Sequence, residues 1–326
     1  MGVVFRSSPG EAGRSNSFSC ILPVLVAVSI LSGCSANRLA ANIIADTLAG
    51  GAGSYASDPD PELIREALPF GLKTYEGLLE SAPAHRGLLL ATARGFTAYA
   101  YMLKDEADRM NDPARSREQR HRARDLFLRG RDYALRGLEV SHPGFTTALR
   151  AGDGDALAET TREDADFLYW AGAAWAGAVA SDKQDFMLVA ELGLAGRLVG
   201  RVVELDESYD KGAAHQFLVT YEGGRPGGDR KLAREHYRRA LELSGGGSAG
   251  LYLALAESVA VAEQDLAGFR RLVDAALAVD AEAFPDRRLA NAIAQRRARW
   301  LLTRIPDLFF DASGETSQSM AGGTAS

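Results

Sequence analysis

Cysteine and histidine are scarce in this chain, and each shortage closes off a class of chemistry. Cys20 and Cys34 are the only two cysteines in 326 residues, so no disulfide framework can carry the fold. The five histidines (His85, His121, His142, His215 and His236) are scattered, and none forms His-Glu-x-x-His. A zinc hydrolase is therefore not expected, nor any resident metal or cofactor. No apolar run reaches the roughly 20 residues that a transmembrane helix needs. Net charge is −6, which argues against nucleic-acid binding. The arginines between Arg115 and Arg131 alternate with Glu118 and Asp125 and read as a solvated helix face.

What the N-terminus does contain is an address. A weakly basic stretch with Arg6 and Arg14 precedes the apolar run Ile21–Leu31, and this ends in Leu31-Ser32-Gly33-Cys34. Small residues followed by cysteine resemble the bacterial lipobox, in which the thiol takes the lipid. The expectation is a signal peptide over 1–33, removed on maturation, and lipidation at Cys34. Ser35, not Asp, after the cysteine goes with the outer membrane in such proteins. The expected location is the periplasm, anchored by lipid. Loss of the leader also removes Cys20 and leaves the mature chain slightly more acidic.

Beyond residue 57 the apolar residues recur at helical spacing almost throughout, and only short stretches such as Phe217–Tyr221 suggest a strand. In the segment around Arg122–Gly144, residues Ala123, Leu126, Phe127, Gly130, Tyr133, Ala134, Gly137 and Leu138 share one stripe. Gly130 and Gly137 each cost about 1 kcal/mol of helix propensity, which a closely approaching neighbour helix would explain. Aliphatic helix endings recur before Ser81, Ser141, Asp206, Ser244 and Asp280, at spacings of 60, 65, 38 and 36. The last two lie near the period of about 34 of tetratricopeptide (TPR) repeats, and the first two suit repeats lengthened by inserted loops. Helix pairs of this kind bury their apolar faces only by stacking. The fold class expected is all-α, an irregular TPR-like helical-hairpin solenoid over 58–310 with four to six hairpins. It would be preceded by a linker over 34–57 and followed by a disordered tail over 311–326.

Three strings imitate catalytic or ligand motifs. In Tyr221–Asp229, YEGGRPGGD, Gly223 and Gly228 have phosphate-loop spacing, but Asp229 and Arg230 stand where lysine and a hydroxyl are required. A helix stop at Gly223-Gly224, a turn at Pro226 and an N-cap at Asp229 remain. Gly246-x-Ser248-x-Gly250 matches a nucleophile elbow without the strand that presents the serine, so a helix C-cap is the better reading and an esterase the poorer. Thr160-x-x-Glu163 reads as a capping box, with Asp164 and Asp166 favouring the helix dipole rather than holding a metal. The helix it opens carries no charge from Phe167 to Ala180 and points Trp170 and Trp175 to different sides.

Taken together, ADFLYWAGAAWAGAV (Ala165–Val179), YEGGRPGGDRKLAREHYRRALELSGG (Tyr221–Gly246) and RRLANAIAQRRARWLL (Arg287–Leu302) resemble one family. These are the T-components associated with TRAP transporters, TPR-like periplasmic lipoproteins also called TatT. The strings agree in order and spacing over most of Cys34–Phe310. The resemblance implies an auxiliary protein rather than an enzyme. It also implies a homotrimer with internal pores or clefts, association with the soluble substrate-binding P-component, and a ligand that is an organic acid or a hydrophobic molecule. The alternative is a general TPR scaffold of the cell envelope. Candidate ligand, pore or partner contacts are Tyr169, Trp170, Trp175, Tyr221, Asn291, Arg296, Arg297 and Trp300. Core packing competes for the aromatic residues of the first string. Arg297 and Trp300 are i, i+3, so a guanidinium can lie over an indole either structurally or as part of an anion site. Tyr221, beside the glycine bend, is placed to gate a channel.

Overall fold

The computed structural model describes residues 1–4 and 55–310. Cys34, the leader from residue 5 onward, most of the linker and the tail from Asp311 lie outside the described residues. Among those described there is no strand, and the protein is all-α. The helices are α1 (Pro61–Ser81), α2 (Arg86–Arg109), α3 (Pro113–Ser141), α4 (Phe145–Ala151), α5 (Asp155–Ala158), α6 (Ala165–Ser181) and α7 (Phe186–Ala190). They continue with α8 (Leu192–Leu205), α9 (Tyr209–Gly224), α10 (Arg230–Ser244), α11 (Ala249–Leu255), α12 (Leu266–Leu277), α13 (Arg288–Thr303) and α14 (Ile305–Leu308). None of the described helices is long and apolar enough to cross a membrane.

Short polar residues start these helices for a common reason: the first turn leaves backbone N–H groups without partners. The carboxylates of Asp60, Asp112, Asp229 and Asp265 accept from those groups at α1, α3, α10 and α12, and Pro61 and Pro113 occupy first positions where no donor is needed. The endings behave largely as the sequence suggests. Ser81, Ser141 and Ser244 close α1, α3 and α10, and Asp206 caps α8. α12 stops at Leu277, three residues before Asp280, which instead caps a short 3-10 turn. The interval from Ser81 to Ser141 holds no inserted loop; it is filled by two long helices of 24 and 29 residues. The next interval does hold an insertion, the short helices α4 and α5.

Successive long helices pack on one another, α1 on α2, α2 on α3, α3 on α6, α6 on α8, α8 on α9 and α9 on α10 and α11. Glycines set the closest approaches. A Cβ at Gly137 of α3 would stand 2.0 Å from the Phe167 ring of α6, and one at Gly130 would meet Thr97 Oγ1 of α2 at 2.7 Å. α6 answers in kind, with Gly177 against Phe127 and Gly172 against Val199 of α8. This helix is covered on most of its circumference, as its lack of charge requires. Phe217–Tyr221, despite its strand-like composition, lies inside α9, where side chains on both flanks are packed.

The array does not stay open. α13 packs on α11 and α12 and also returns to α1 and α2. Arg296 bonds Glu62 of α1 at 2.5 Å and Asp105 of α2 at 3.2 Å, and Arg297 reaches Asp105 and Asp108 at 3.4 and 3.2 Å. Ile293 of α13 joins the same hydrophobic cluster as Leu68, Leu103 and Trp175.

The capping box in front of α6 falls one residue later than the sequence suggests, on Thr161 and Asp164, and Asp164 also serves distant partners. Its buried carboxylate accepts from Thr161 N–H at 3.0 Å, from Arg86 at 2.9 Å and meets His142 Nε2 at 2.9 Å. Burial alone would raise its pKa; the Thr161 amide, His142 and Arg86 outweigh that and lower it to about 2. A carboxylate depressed in the folded state stabilises above its unfolded pKa, and that contribution is lost as pH falls through the folded value. Urea unfolding should therefore show about 2 kcal/mol of stability disappearing between about pH 4 and pH 2. Asp164→Asn should be weaker at pH 7 and lack that part of the acid dependence; an unchanged acid profile would contradict this assignment.

Candidate functional site

Closure by α13 leaves a cleft of ≈ 580 Å³ in the middle of the array, a size suited to a small molecule. One wall is the small-residue face of α6, where Ala173, Ala176, Gly177 and Ala180 recur at helical spacing. Phe127 of α3 and Leu192 of α8 extend this apolar surface. The facing wall comes from α9, with Gln216, Phe217, Thr220, Tyr221 and Gly224 on one side of that helix. Phe217 and Tyr221 stack with centroids 6.1 Å apart, and Arg225 lies 5.0 Å over the Tyr221 ring. The Tyr221 ring also fills the space beside Gly196 of α8, where a Cβ would come within 2.3 Å of it.

The third wall is charged. α11 runs directly into a π-helical turn at Ala256–Ala260, an insertion that re-aims side chains and recurs at functional sites. Here it delivers Glu257 and Ser258 to the cleft. Gly223 of α9 makes room for that turn, since a Cβ there would sit 2.4 Å from Ser258 Oγ. Glu257 takes Arg297 in a two-pronged pair, Nε to Oε1 at 2.8 Å and a terminal nitrogen to Oε2 at 2.5 Å. Burial works against the Arg297 charge, but Glu257, Tyr101 and Asp108 outweigh it and hold the guanidinium above its ordinary pKa. Tyr101 stands over this network, 44 % exposed at the mouth.

Of the residues singled out from sequence, Tyr169, Tyr221 and Arg297 line the cleft. The others are placed elsewhere. Trp175 is fully buried, its Nε1 donating to Glu191 at 3.1 Å and its ring flanked by Arg131 and Arg150. Trp170 packs edge-on to Tyr169 with Arg94 at 5.9 Å from its ring. Asn291 is buried, donating to Gly247 O and accepting from Ala249 N–H, and so fixes the start of α11. Arg296 belongs to the closure, and Trp300 lies beneath Arg297 and Arg304 at 5.5 and 5.9 Å. Tyr101, Lys104, Lys183, Gln216 and Glu257 were missed. The small-residue stripe of α6 was visible in the string Ala165–Val179, but the π turn left no mark in the sequence.

Below the cleft, α9 begins with three successive left-handed residues, Asp210, Lys211 and Gly212 at φ 41°, 53° and 90°. Such backbone costs about 1–2 kcal/mol at each non-glycine. Arg287 donates to Asp210 O at 2.5 Å and Lys211 pairs with Asp286 at 2.5 Å, tying the turn to the entry of α13. The preceding Tyr209 donates to Asp166 Oδ1 at 2.6 Å and packs on Tyr169. Further along α9, His215 and His236 of α10 meet through Nδ1 atoms 2.9 Å apart, and burial lowers the pKa of both.

The glycine bend after Tyr221 holds no phosphate loop. Gly227 takes φ 70°, Glu222 accepts from Arg225 and from Asp229 N–H, and Asp229 caps α10. Gly245 and Gly246, both left-handed, close α10, and Ser248 is buried with its hydroxyl donating to Gln216 Oε1 at 2.8 Å. No strand precedes it. Among the described residues no cluster of metal-ligating side chains occurs.

A curated protein of Treponema pallidum (strain Nichols), described as an uncharacterized protein, is 32% identical over 312 residues, covering 86% of this chain and 95% of that protein. The family model described as TRAP transporter T-component matches residues 57–309, which span every described long helix and the whole cleft. The chain belongs to the TRAP transporter T-component family.

Proposed function

We propose that this chain is a periplasmic, lipid-anchored accessory of a TRAP transporter that binds the soluble P-component and holds or passes its ligand through the central cleft. Family membership supports an accessory role in TRAP transport. The observation that carries the finer reading is the cleft itself, closed by a helix that returns from the far end of the chain and lined by Tyr101, Tyr169, Tyr221 and an apolar stripe. In this reading the helices are a bent TPR-like stack, the protomers associate as a homotrimer, and Cys34 supplies the anchor. A P-component delivered by diffusion gains from a tethered docking partner, because tethering raises its effective concentration at the membrane.

Affinity capture of the tagged chain from its own detergent-solubilised envelope tests this. The expected result is enrichment of a substrate-binding protein and its permease over a mock capture. Cell-wall or assembly proteins in their place would favour the envelope-scaffold reading, and capture of no transporter subunit would overturn the proposal.

A further inference from the structure

We infer that His215 of α9 and His236 of α10 form an acid-sensitive latch: uncharged, the pair binds the α9 wall of the cleft to α10, and protonation of both rings releases it. That the release also loosens the cleft's hold on a small molecule rests on the reading of the cleft as a ligand site. The two Nδ1 atoms lie 2.9 Å apart, with ring centroids at 5.1 Å. A bond between them needs one ring to donate and the other to accept, so at least one Nδ1 must be bare. Two imidazolium rings would set N–H against N–H and bring two like charges into contact. His215 is 5% exposed, and its Nε2 has no hydrogen-bond partner among the described residues. A proton taken up there would keep the Nδ1 contact but bury a charge. The Glu207 carboxylate stands 4.0 Å from that atom and is already bonded twice to Arg239, at 2.8 and 2.9 Å.

The pair closes a thin seam. A Cβ at Gly212 would meet Ala240 Cα at 3.1 Å, so α9 and α10 approach backbone to backbone there. Beyond that point the buried apolar side chains of the seam are few: Val219, Ala240 and Leu251. Opening follows the number of buried contacts that must be broken, so this seam opens before the large core does. On its other side α9 presents Gln216, Phe217, Thr220 and Tyr221 to the cleft, so latch and wall are one helix.

Glu207 precedes α9, Glu222 lies on it, and Glu235 and Arg239 lie on α10. These carboxylates favour charged rings. Burial, joined at His215 by His236 and Arg239, outweighs them and holds both rings below the ordinary histidine pKa. α11, packed on both helices, carries no charged side chain, and its Tyr252 lies edge-on to Tyr237. Arg197 and Arg201 of α8 bond Leu149 O and Thr160, Asp166 of α6 takes Arg94 and Tyr209, and Glu257 of the π turn takes Arg297. With folded pKa values below the unfolded one, the unfolded chain binds more protons in acid. The latch is therefore fully made above the ordinary histidine pKa and is lost as pH falls below it.

Hydrogen exchange of the purified full-length chain tests this, with α9 protection read relative to α2 in the same sample so that the chemical pH dependence cancels. Between about pH 7.5 and about pH 5 the relative protection of α9 should fall about tenfold. The variant His215→Asn/His236→Asn, whose amides can keep the contact without taking a proton, should show no such fall. His236→Asn alone, which cannot form the doubly charged pair, should lose most of it. A fall that persists in either folded variant, or none in the unmodified chain, overturns the inference. Native mass spectrometry of the chain from its own envelope at both pH values separates the two readings. A molecule carried at the higher pH and released at the lower one only when both histidines are present supports both. A chain whose α9 opens in acid but which is empty at both values keeps the latch and removes the cleft reading. A chain that holds its molecule with α9 equally protected at both values keeps the cleft reading and removes the latch.

Discussion

Asp105→Ala is expected to cost about 3–5 kcal/mol of folding stability, with the urea midpoint falling and the slope retained. Asp105 is 1% exposed and accepts from Arg109 on its own helix at 3.2 Å and from Arg296 and Arg297 of α13. Its removal leaves a buried guanidinium of Arg297 with one partner fewer and takes from Arg296 its interior contact, leaving the exposed pair with Glu62. Breaking one side of a buried ionic network is far more damaging than never having built it. Asp105→Asn, which keeps the volume and an acceptor, should fall between. A cost below about 1 kcal/mol, the range of surface pairs, would mean that α13 is not docked on α2.

Trp175→Ala should be comparably severe, about 3–5 kcal/mol, for a different reason. The indole is wholly buried in the largest hydrophobic cluster and hydrogen-bonded through Nε1 to Glu191. Truncation leaves a void whose walls, α3, α6 and α8, are held apart by other contacts and cannot collapse into it. Trp175→Phe should recover much of the loss. Because Trp175 does not line the cleft, folded Trp175→Phe should keep any small molecule that the unmodified chain carries. A near-neutral Trp175→Ala would mean that the indole is not part of the core.

The contrast between Trp175 and Tyr169, six positions apart on one helix, shows where sequence reading stops. Helical periodicity identified α6 and the fully packed character of its surface, because that depends only on the absence of charge along the segment. Which neighbour covers each face depends on α3, α8 and α9, and the sequence carries no direct record of those partners. Gly130 and Gly137 were legible as close approaches since a glycine inside a helix has a cost that packing must offset. The return of α13 was not legible. Arg296 and Arg297 look like any surface arginines until Glu62, 234 residues earlier, and Asp105 and Asp108, 191 and 189 residues earlier, are brought beside them. Glu257 was hidden for another reason: a π turn shifts the register by one residue, and no local composition announces it. The family strings supplied the class of protein, whereas the cleft chemistry came from tertiary packing.

The account rests on the closed cleft being a place where a small molecule is held. Native mass spectrometry of the chain purified from its own envelope, beside Ala176→Trp prepared identically, measures this most directly. The unmodified chain should carry a small molecule released on unfolding, and the filled variant, equally folded by thermal melt, should carry none. A chain purified empty, or a variant that carries the same molecule at the same level, would contradict it.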